Sequence, residues 1–388
     1  MADLKLTVHA GPHRRVHCPV SVVVDAPSRV SQVTLQGEND PVPAQANKVE
    51  GGLCVNWIVE DLAAGASSDY RLSLGGRSSS KKSVQLIQKR NRIQIDVNGA
   101  HFTTYCYGAS LVRPHLYPVI GPYGDRITRR MATPKDGRKM DHHHHRSVWI
   151  AHGEVNGFNN WGEGGSAART IHKEFDALED GPVLGRIVAI STWTGRAVWD
   201  GDYRTHELVE ERAEWTVYNT PANARIMDLH LTLTSLKEDV LFGDTKEGGL
   251  ASLRVEDSMR VSAGEGGQIE NAQGGANEDE TWGKQSVWCD YSGPVKGKRV
   301  GATIMDHPDS FRHPTYWHVR NYGLMTANPF GLSYYTGDIN KRAPHVLSPG
   351  QTLTGIYRYF IHSGDATEGN VSERYHDFAN PPKVEIVK

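Results

Sequence analysis

Long apolar runs are missing from this chain. No stretch approaches the roughly 18 consecutive apolar residues that a bilayer-spanning helix needs, and mean hydropathy is −0.51. A membrane-embedded helical protein is thereby excluded. The opening MADLKLTVHAGPHRR also lacks the apolar core of a secretory signal. Cysteine is scarce: Cys18, Cys54, Cys106 and Cys289 form no CxxC pair, so no disulfide framework is expected. These features point to a cytoplasmic, reduced protein. No charge sign dominates, with 43 basic residues against 45 acidic ones. No global field draws nucleic acid or an anionic membrane, so neither is expected as a partner. The chain has no GxSxG elbow, Walker A loop, HExxH or GxGxxG opening a βαβ unit. Dinucleotide hydride transfer and P-loop phosphoryl chemistry are therefore disfavoured.

What is present is turn chemistry and an excess of two side chains. The 40 Gly and 19 Pro imply many turns and short strands. The 19 His and 9 Trp suit a sugar-binding surface, where aromatic faces stack on C–H groups and polar tips bond hydroxyls. A tightly packed β-core also uses Trp, and both readings stand.

Strand patterning runs nearly throughout. In 228–234, Leu229, Leu231 and Leu233 alternate with Asp228, His230, Thr232 and Thr234; in 212–218, Ala213, Trp215 and Val217 alternate with polar neighbours. This is the one-face-buried pattern of antiparallel sheets. Asp365 and Glu368 have capping-box spacing, and Val371, Tyr375 and Phe378 share one helical face. The expected fold is all-β: a small N-terminal β-sandwich over 1–76, a linker over 77–83, and a large antiparallel β-sandwich over 84–388 that carries the site and one C-terminal helix. No βα alternation supports a Rossmann or TIM architecture.

Four segments hold more polar and aromatic residues than packing requires. RPHLYPVIGPYGDR (113–126) presents Arg113 and His115 on a rigid loop, as surface or as one wall of a cleft. DHHHHRSVWIAHGEVNGFNNWGEG (141–164) carries four consecutive His, then His152 and Glu154 two apart on one strand face, then a turn that projects Trp161. Neutral imidazoles beside a carboxylate suit either acid/base work or a divalent metal. In 243–261, Glu247 precedes two Gly and a strand, the position of a cleft rim or of a solvated turn. The neighbours 277–293 and 305–331 offer Glu278, Trp282, Asp306, His313, His318, Arg320 and Tyr322.

DHHHHRSVWIAHGEVNG, GKQSVWCDYSG and DHPDSFRHPTYWHVRNYGLMTANPFG, in that order, resemble a bacterial family labelled methane oxygenase PmoA. The resemblance covers most of the chain after about residue 85. At the His run the family pattern is similar to D-H-P-H-H-R-G-L-W; His143 stands at the Pro position and Ser147 at the Gly position. His142, His144, His145, Arg146 and Trp149 stay in register. The methane-oxygenase label itself is set aside, because a subunit of a membrane-bound oxygenase needs spanning helices. In strand content the family resembles the galactose-mutarotase-like supersandwich. That implies a carbohydrate substrate on the concave face of one sheet, with His working beside Glu, Asp or Tyr.

The resulting expectation is a carbohydrate-active enzyme acting on a small carbohydrate or glycoside, as a glycoside hydrolase or a lyase/eliminase. His144, His152, Glu247, His313 and His318 are expected to carry catalysis. Arg113, His115, Arg146, Trp149, Glu154, Trp161, Glu278, Trp282, Asp306, Arg320 and Tyr322 are expected to bind substrate. No cofactor is required, although the His142–His145/His152 segment is suited to a divalent metal. A mutarotase or epimerase and a non-catalytic sugar-binding module are the alternatives, with a metal-dependent oxidoreductase behind them.

Overall fold

Period-two burial organises the large unit. Leu229, Leu231 and Leu233 are buried, as are Ala213, Trp215 and Val217 on the neighbouring strand, while all their alternates but Thr216 face outward or lie half-buried. The computed structural model describes residues 3–27, 30–75, 82–133, 140–164, 168–199 and 202–387.

Two eight-stranded antiparallel sheets pack face to face. The first, which we call the front sheet, runs in the order Val84–Lys89, Arg92–Val97, Ala100–Cys106, His115–Val119, Val148–His152, Gly248–Arg254, Leu324–Ala327, Trp317–Arg320. The second, the back sheet, runs Arg169–Glu179, Leu184–Trp199, Asp202–Tyr218, Ala224–Ser235, Thr352–Ser363, Lys298–Asp306, Trp288–Val295, Gln268–Asn271. One apolar core, including Ile95, Val148, Trp193, Leu231, Leu253 and Tyr359, fills the space between them. The protein is all-β with few helices.

The first residues make two smaller sheets with their own core around Leu6, Val20, Val55, Trp57 and Leu72. One difference from the sequence expectation is topological. Lys383–Val387, assigned to the large unit, pairs with Asp3–His9 at the edge of the small unit's five-stranded sheet. The small unit is tied to the large one by side chains. The Gln45 side-chain oxygen accepts the backbone N–H groups of Val183 and Leu184 at 3.2 and 3.0 Å. Arg15, buried, meets Asp377 at 3.3 Å. Apart from Lys82 and Ser83, the expected linker lies outside the described residues.

The C-terminal helix covers Val371–Ala379. The capping-box bonds form, Asp365 N to Glu368 at 3.2 Å and Glu368 N to Asp365 at 3.0 Å, but in a turn just before the helix proper. Val371, Tyr375 and Phe378 do bury their shared face. The strand Arg169–Glu179 is absent from the sequence reading because its charged residues hide the alternation. It is a sheet edge, with Glu174, Asp176 and Leu178 exposed or nearly so.

Candidate functional site

Register brings distant residues into one line. Directly opposed residues of antiparallel strands project from the same face. His115 opposes Trp149, Trp149 opposes Ser252, Ser252 opposes Thr326, and Thr326 opposes His318. These side chains cross the front sheet on its outer face. The next row carries Arg254, Leu324 and Arg320. The alternate row of Leu116, Val148, Leu253, Met325 and Val319 points into the inter-sheet core. The middle of the line is drawn tight. Ser252 and Thr326 share a 2.7 Å hydroxyl bond, and a Cβ at Gly249 would fall 1.4 Å from Thr326 Oγ1.

The His run lies over this face as a turn. His145 is buried, stacked on Trp149 with centroids 5.5 Å apart and edge-on to Trp161 at 5.3 Å. His142 stacks on His145 at 4.8 Å and on Tyr322 at 4.7 Å. His144 stands edge-on to His145 at 4.5 Å. Arg254, fully buried, donates to His145 Nδ1 at 3.3 Å and lies 4.7 Å over the Tyr322 ring. That bond fixes the tautomer of His145, with its proton on Nε2. Burial, with His142 and Arg113 adding to it, pushes His144 down to about 4.

Glu247 closes the other side. It immediately precedes the strand Gly248–Arg254, where the two glycines let the chain pass His152 and Thr326. Burial raises its carboxyl, but Lys246, His318 and His144 outweigh that and hold it below the usual carboxylate range. His318, only 2% exposed, donates from Nδ1 to the Lys246 carbonyl at 2.6 Å. Its Nε2 lone pair is thus left for a proton. Burial pushes His318 down to about 4, with Glu247 pulling the other way, so it is neutral at pH 7. Asn328 donates to the Thr245 and Lys246 carbonyls at 2.9 and 3.2 Å and pins the same loop.

Trp282 lies edge-on to Tyr335 at 5.5 Å, and Tyr335 is within electrostatic reach of Glu247. Glu278 is paired with Arg320 at 2.9 Å and accepts Asn321 N at 2.8 Å, so these two expected substrate contacts hold each other. Arg146 bonds both oxygens of Glu163.

The structure corrects several expected roles. His152 points into the core between Phe242 and Phe330, donates from Nε2 to the Gly243 carbonyl at 2.9 Å, and is fully buried. It sits on the sheet face opposite Trp149. Glu154 falls beyond the strand, its carboxylate over Gly243 rather than beside His152. Arg113 is no wall: 1% exposed, it donates to the carbonyls of Asn160, Trp161 and Gly162 and to Glu163. It pins the turn that places Trp161. His115 is buried beneath it, bonded to the Arg113 carbonyl at 3.2 Å and pushed to about 4 by burial. His313 pairs with the buried Asp306 of the back sheet at 2.9 Å, in a separate group near Tyr357 and Tyr375.

The metal set expected at His142–His145 and His152 is split between two sheet faces. Among the described residues no three His, Cys, Asp or Glu side chains converge to hold a metal ion. Sequence reasoning missed Arg254, Arg129, Asp141 and Glu163. A cation inside the apolar strand GGLASLR was a usable signal for Arg254; Glu163 had only its place after Trp161.

A family model matches residues 92–376, which contain the front sheet from its second strand, the His run and Glu247. Its description is a family of unknown function (DUF6807). The chain belongs to this family. The three motifs that resemble the PmoA-labelled family all lie inside the DUF6807 match. No curated protein matches the chain. Two solved structures resemble it remotely. One is an alpha-mannosidase from Enterococcus faecalis V583, with TM-score 0.46 and 10% identity over 100% of this chain and 46% of that one. The other is a protein in the glycosyl hydrolase family 38 from Enterococcus faecalis, with TM-score 0.40 and 9% identity over 100% and 47%. This DUF6807 chain spans less than half the length of either, and so distant a likeness transfers no chemistry. No helix among the described residues is long and apolar enough to cross a membrane.

Proposed function

We propose that this DUF6807 chain is a carbohydrate-active enzyme that works by proton transfer, of the lyase/eliminase or epimerase kind. The observation that carries the proposal is the meeting of Glu247 with His318 and His144 beside Trp149, Trp161 and Tyr322 on one sheet face. The buried Trp149 and Trp161 support the His run from below, and the partly exposed Tyr322 offers the ring edge nearest a sugar. His318 Nε2 is the base. It takes a proton from a sugar carbon next to a carbonyl, and the ionised Glu247 stabilises the imidazolium that forms. The electron pair passes to the carbonyl oxygen, where the Lys246 ammonium meets the developing charge. The pair then either expels a β-oxygen substituent, which takes the proton from the His318 imidazolium as a new C=C forms, or recaptures a proton from water on the opposite face, the imidazolium giving its own proton back to solvent.

Glycoside hydrolysis is the second reading. It calls for two carboxylates flanking the bond. Here Glu163 is held by Arg113 and Arg146, Asp141 by Arg129 and Arg254, and Glu278 by Arg320. Glu247 alone of the four has only a lysine partner, which favours proton transfer.

The test is to incubate the protein in D2O with glycosides, keto-glycosides and uronides and to follow deuterium incorporation and product by NMR. His318→Asn and Glu247→Gln should lower turnover by about 10²–10⁴-fold and leave binding within roughly tenfold. Hydrolysis without exchange at carbon selects the second reading. Binding with no exchange and no cleavage makes the protein a sugar-binding module.

A further inference from the structure

Buried positive charge around the His run exceeds buried negative charge, and the pairing pattern shows why. Asp141 is shared by Arg129 at 2.6 Å and Arg254 at 3.4 Å. Glu163 is shared by Arg113, at 2.8 Å, and Arg146. Two carboxylates thus serve four guanidiniums, three of which are at most 3% exposed. The remaining pairs at the site, Arg320 with Glu278 and Lys246 with Glu247, are one to one. Counting arginines, lysines and carboxylates alone, the described residues leave two cationic charges without a carboxylate of their own. A buried cation without its own counter-ion is costly, and a cleft lined by one sign of charge concentrates ligands of the other.

A second observation is independent of charge. Among the buried side-chain nitrogens of this cluster that lack a partner are His145 Nε2, Trp149 Nε1, Trp161 Nε1 and Arg254 Nε. Every one is an N–H donor, given the His145 tautomer fixed by Arg254. The unpartnered carboxylate oxygens, on Glu270, Asp290 and Asp306, all belong to the back sheet instead. The site therefore lacks acceptors and negative charge together.

We propose that the ligand of this site is an anionic sugar, carrying a carboxylate or a phosphate, drawn by the surplus of guanidiniums and met at the surface by Arg146, the exposed member of that surplus, with Lys246 and Arg320 beside it. Their side chains are 35% (Lys246), 32% (Arg320) and 20% (Arg146) exposed. The proposal rests on the sugar-site reading above and narrows it. A carboxylate attached to the ring also provides the carbonyl group that acidifies a neighbouring C–H for abstraction.

The experiment is calorimetric titration of the full chain with galacturonate and glucuronate, their neutral parents galactose and glucose, glucose 6-phosphate, and sodium sulfate, at 20 and 200 mM NaCl. At least one sugar acid or sugar phosphate should bind tenfold or more tightly than its neutral parent, equivalent to about 1.4 kcal/mol, and weaken with salt. A carboxylate or a phosphate preference identifies which anion the site takes. Lys246→Gln and Arg320→Gln should each narrow the gap severalfold, whereas Glu247→Gln, which enlarges the positive surplus, should bind the acid at least as tightly. Equal binding of acid and neutral parent overturns the anionic proposal and leaves the sugar site standing. Sulfate binding as tightly as the acids overturns it as well, reducing the site to a bare anion sink. Binding of none of these compounds overturns both readings.

Discussion

Replacing His152 by Gln should lessen the acid sensitivity of folding. The imidazole is fully buried between Phe242 and Phe330, and burial pushes it down to about 4. In the unfolded chain it titrates near 6.5. Between those values the unfolded state binds the proton that the folded state refuses. Stability is therefore complete above pH 6.5 and is lost as pH falls toward 4. One such histidine costs about 1.4 kcal/mol per pH unit across that window, or about 2 kcal/mol at pH 5 relative to pH 8. Gln keeps an N–H for the Gly243 carbonyl and does not titrate. Urea unfolding at pH 8 and pH 5, followed by Trp fluorescence, gives the difference for each protein. The wild type should lose about 2 kcal/mol more than His152→Gln between the two pH values. An equal loss refutes the assignment of His152 as a neutral core histidine. A variant that stays folded yet loses turnover by about 10²-fold or more restores the catalytic role.

Arg113→Ala breaks a buried ion pair and frees the Asn160–Gly162 carbonyls. Glu163 keeps Arg146, so the loss comes from the freed carbonyls, about 1–3 kcal/mol for each one left unpaired in a denaturant titration, and a change below about 0.5 kcal/mol would make Arg113 a ligand contact after all. Gly249→Ala forces a Cβ onto Thr326 Oγ1; a loss of about 1–3 kcal/mol or more is expected, with a shifted Trp149 emission, and wild-type stability would disprove the tight packing. Gln45→Ala orphans the Val183 and Leu184 N–H groups at about 1–3 kcal/mol each; hydrogen exchange at those two amides should accelerate more than at the centre of either large sheet.

Alternation made the back sheet readable, because Leu229, Leu231 and Leu233 have polar alternates to contrast with. The same logic fails for VWIAH, where every residue of Val148–His152 is buried. Trp149 is covered by the His run and Val148 by the opposite sheet, so hydropathy cannot say which face His152 joins. Glu247 was only half legible, because a carboxylate ahead of two glycines and a strand fits a cleft rim or a solvated turn equally well. Arg113 with Glu163, and His313 with Asp306, were not legible at all. Their roles depend on pairings made by tertiary folding, and a polar side chain spent on its own loop looks in sequence like one left for a ligand. The surplus of guanidiniums was equally invisible, since total charge is nearly balanced and only the local ratio departs from it.

The strand Lys383–Val387 lies against Asp3–His9, so a distant segment of the chain closes that sheet edge. Asp3–His9 has Ser67–Leu74, a neighbour closer in sequence, on one side. Without Lys383–Val387 its other side would be a row of bare amide and carbonyl groups. Such an edge invites a strand from another chain. Because the strand that covers it lies far along the sequence, beyond both large sheets, the small sheet can be opened without disturbing them: a chain cut after the helix Val371–Ala379 keeps both large sheets but has an open seam along Asp3–His9. Loss of that one strand would therefore show as a newly exposed sheet edge, while the two large sheets and the site stay as they are.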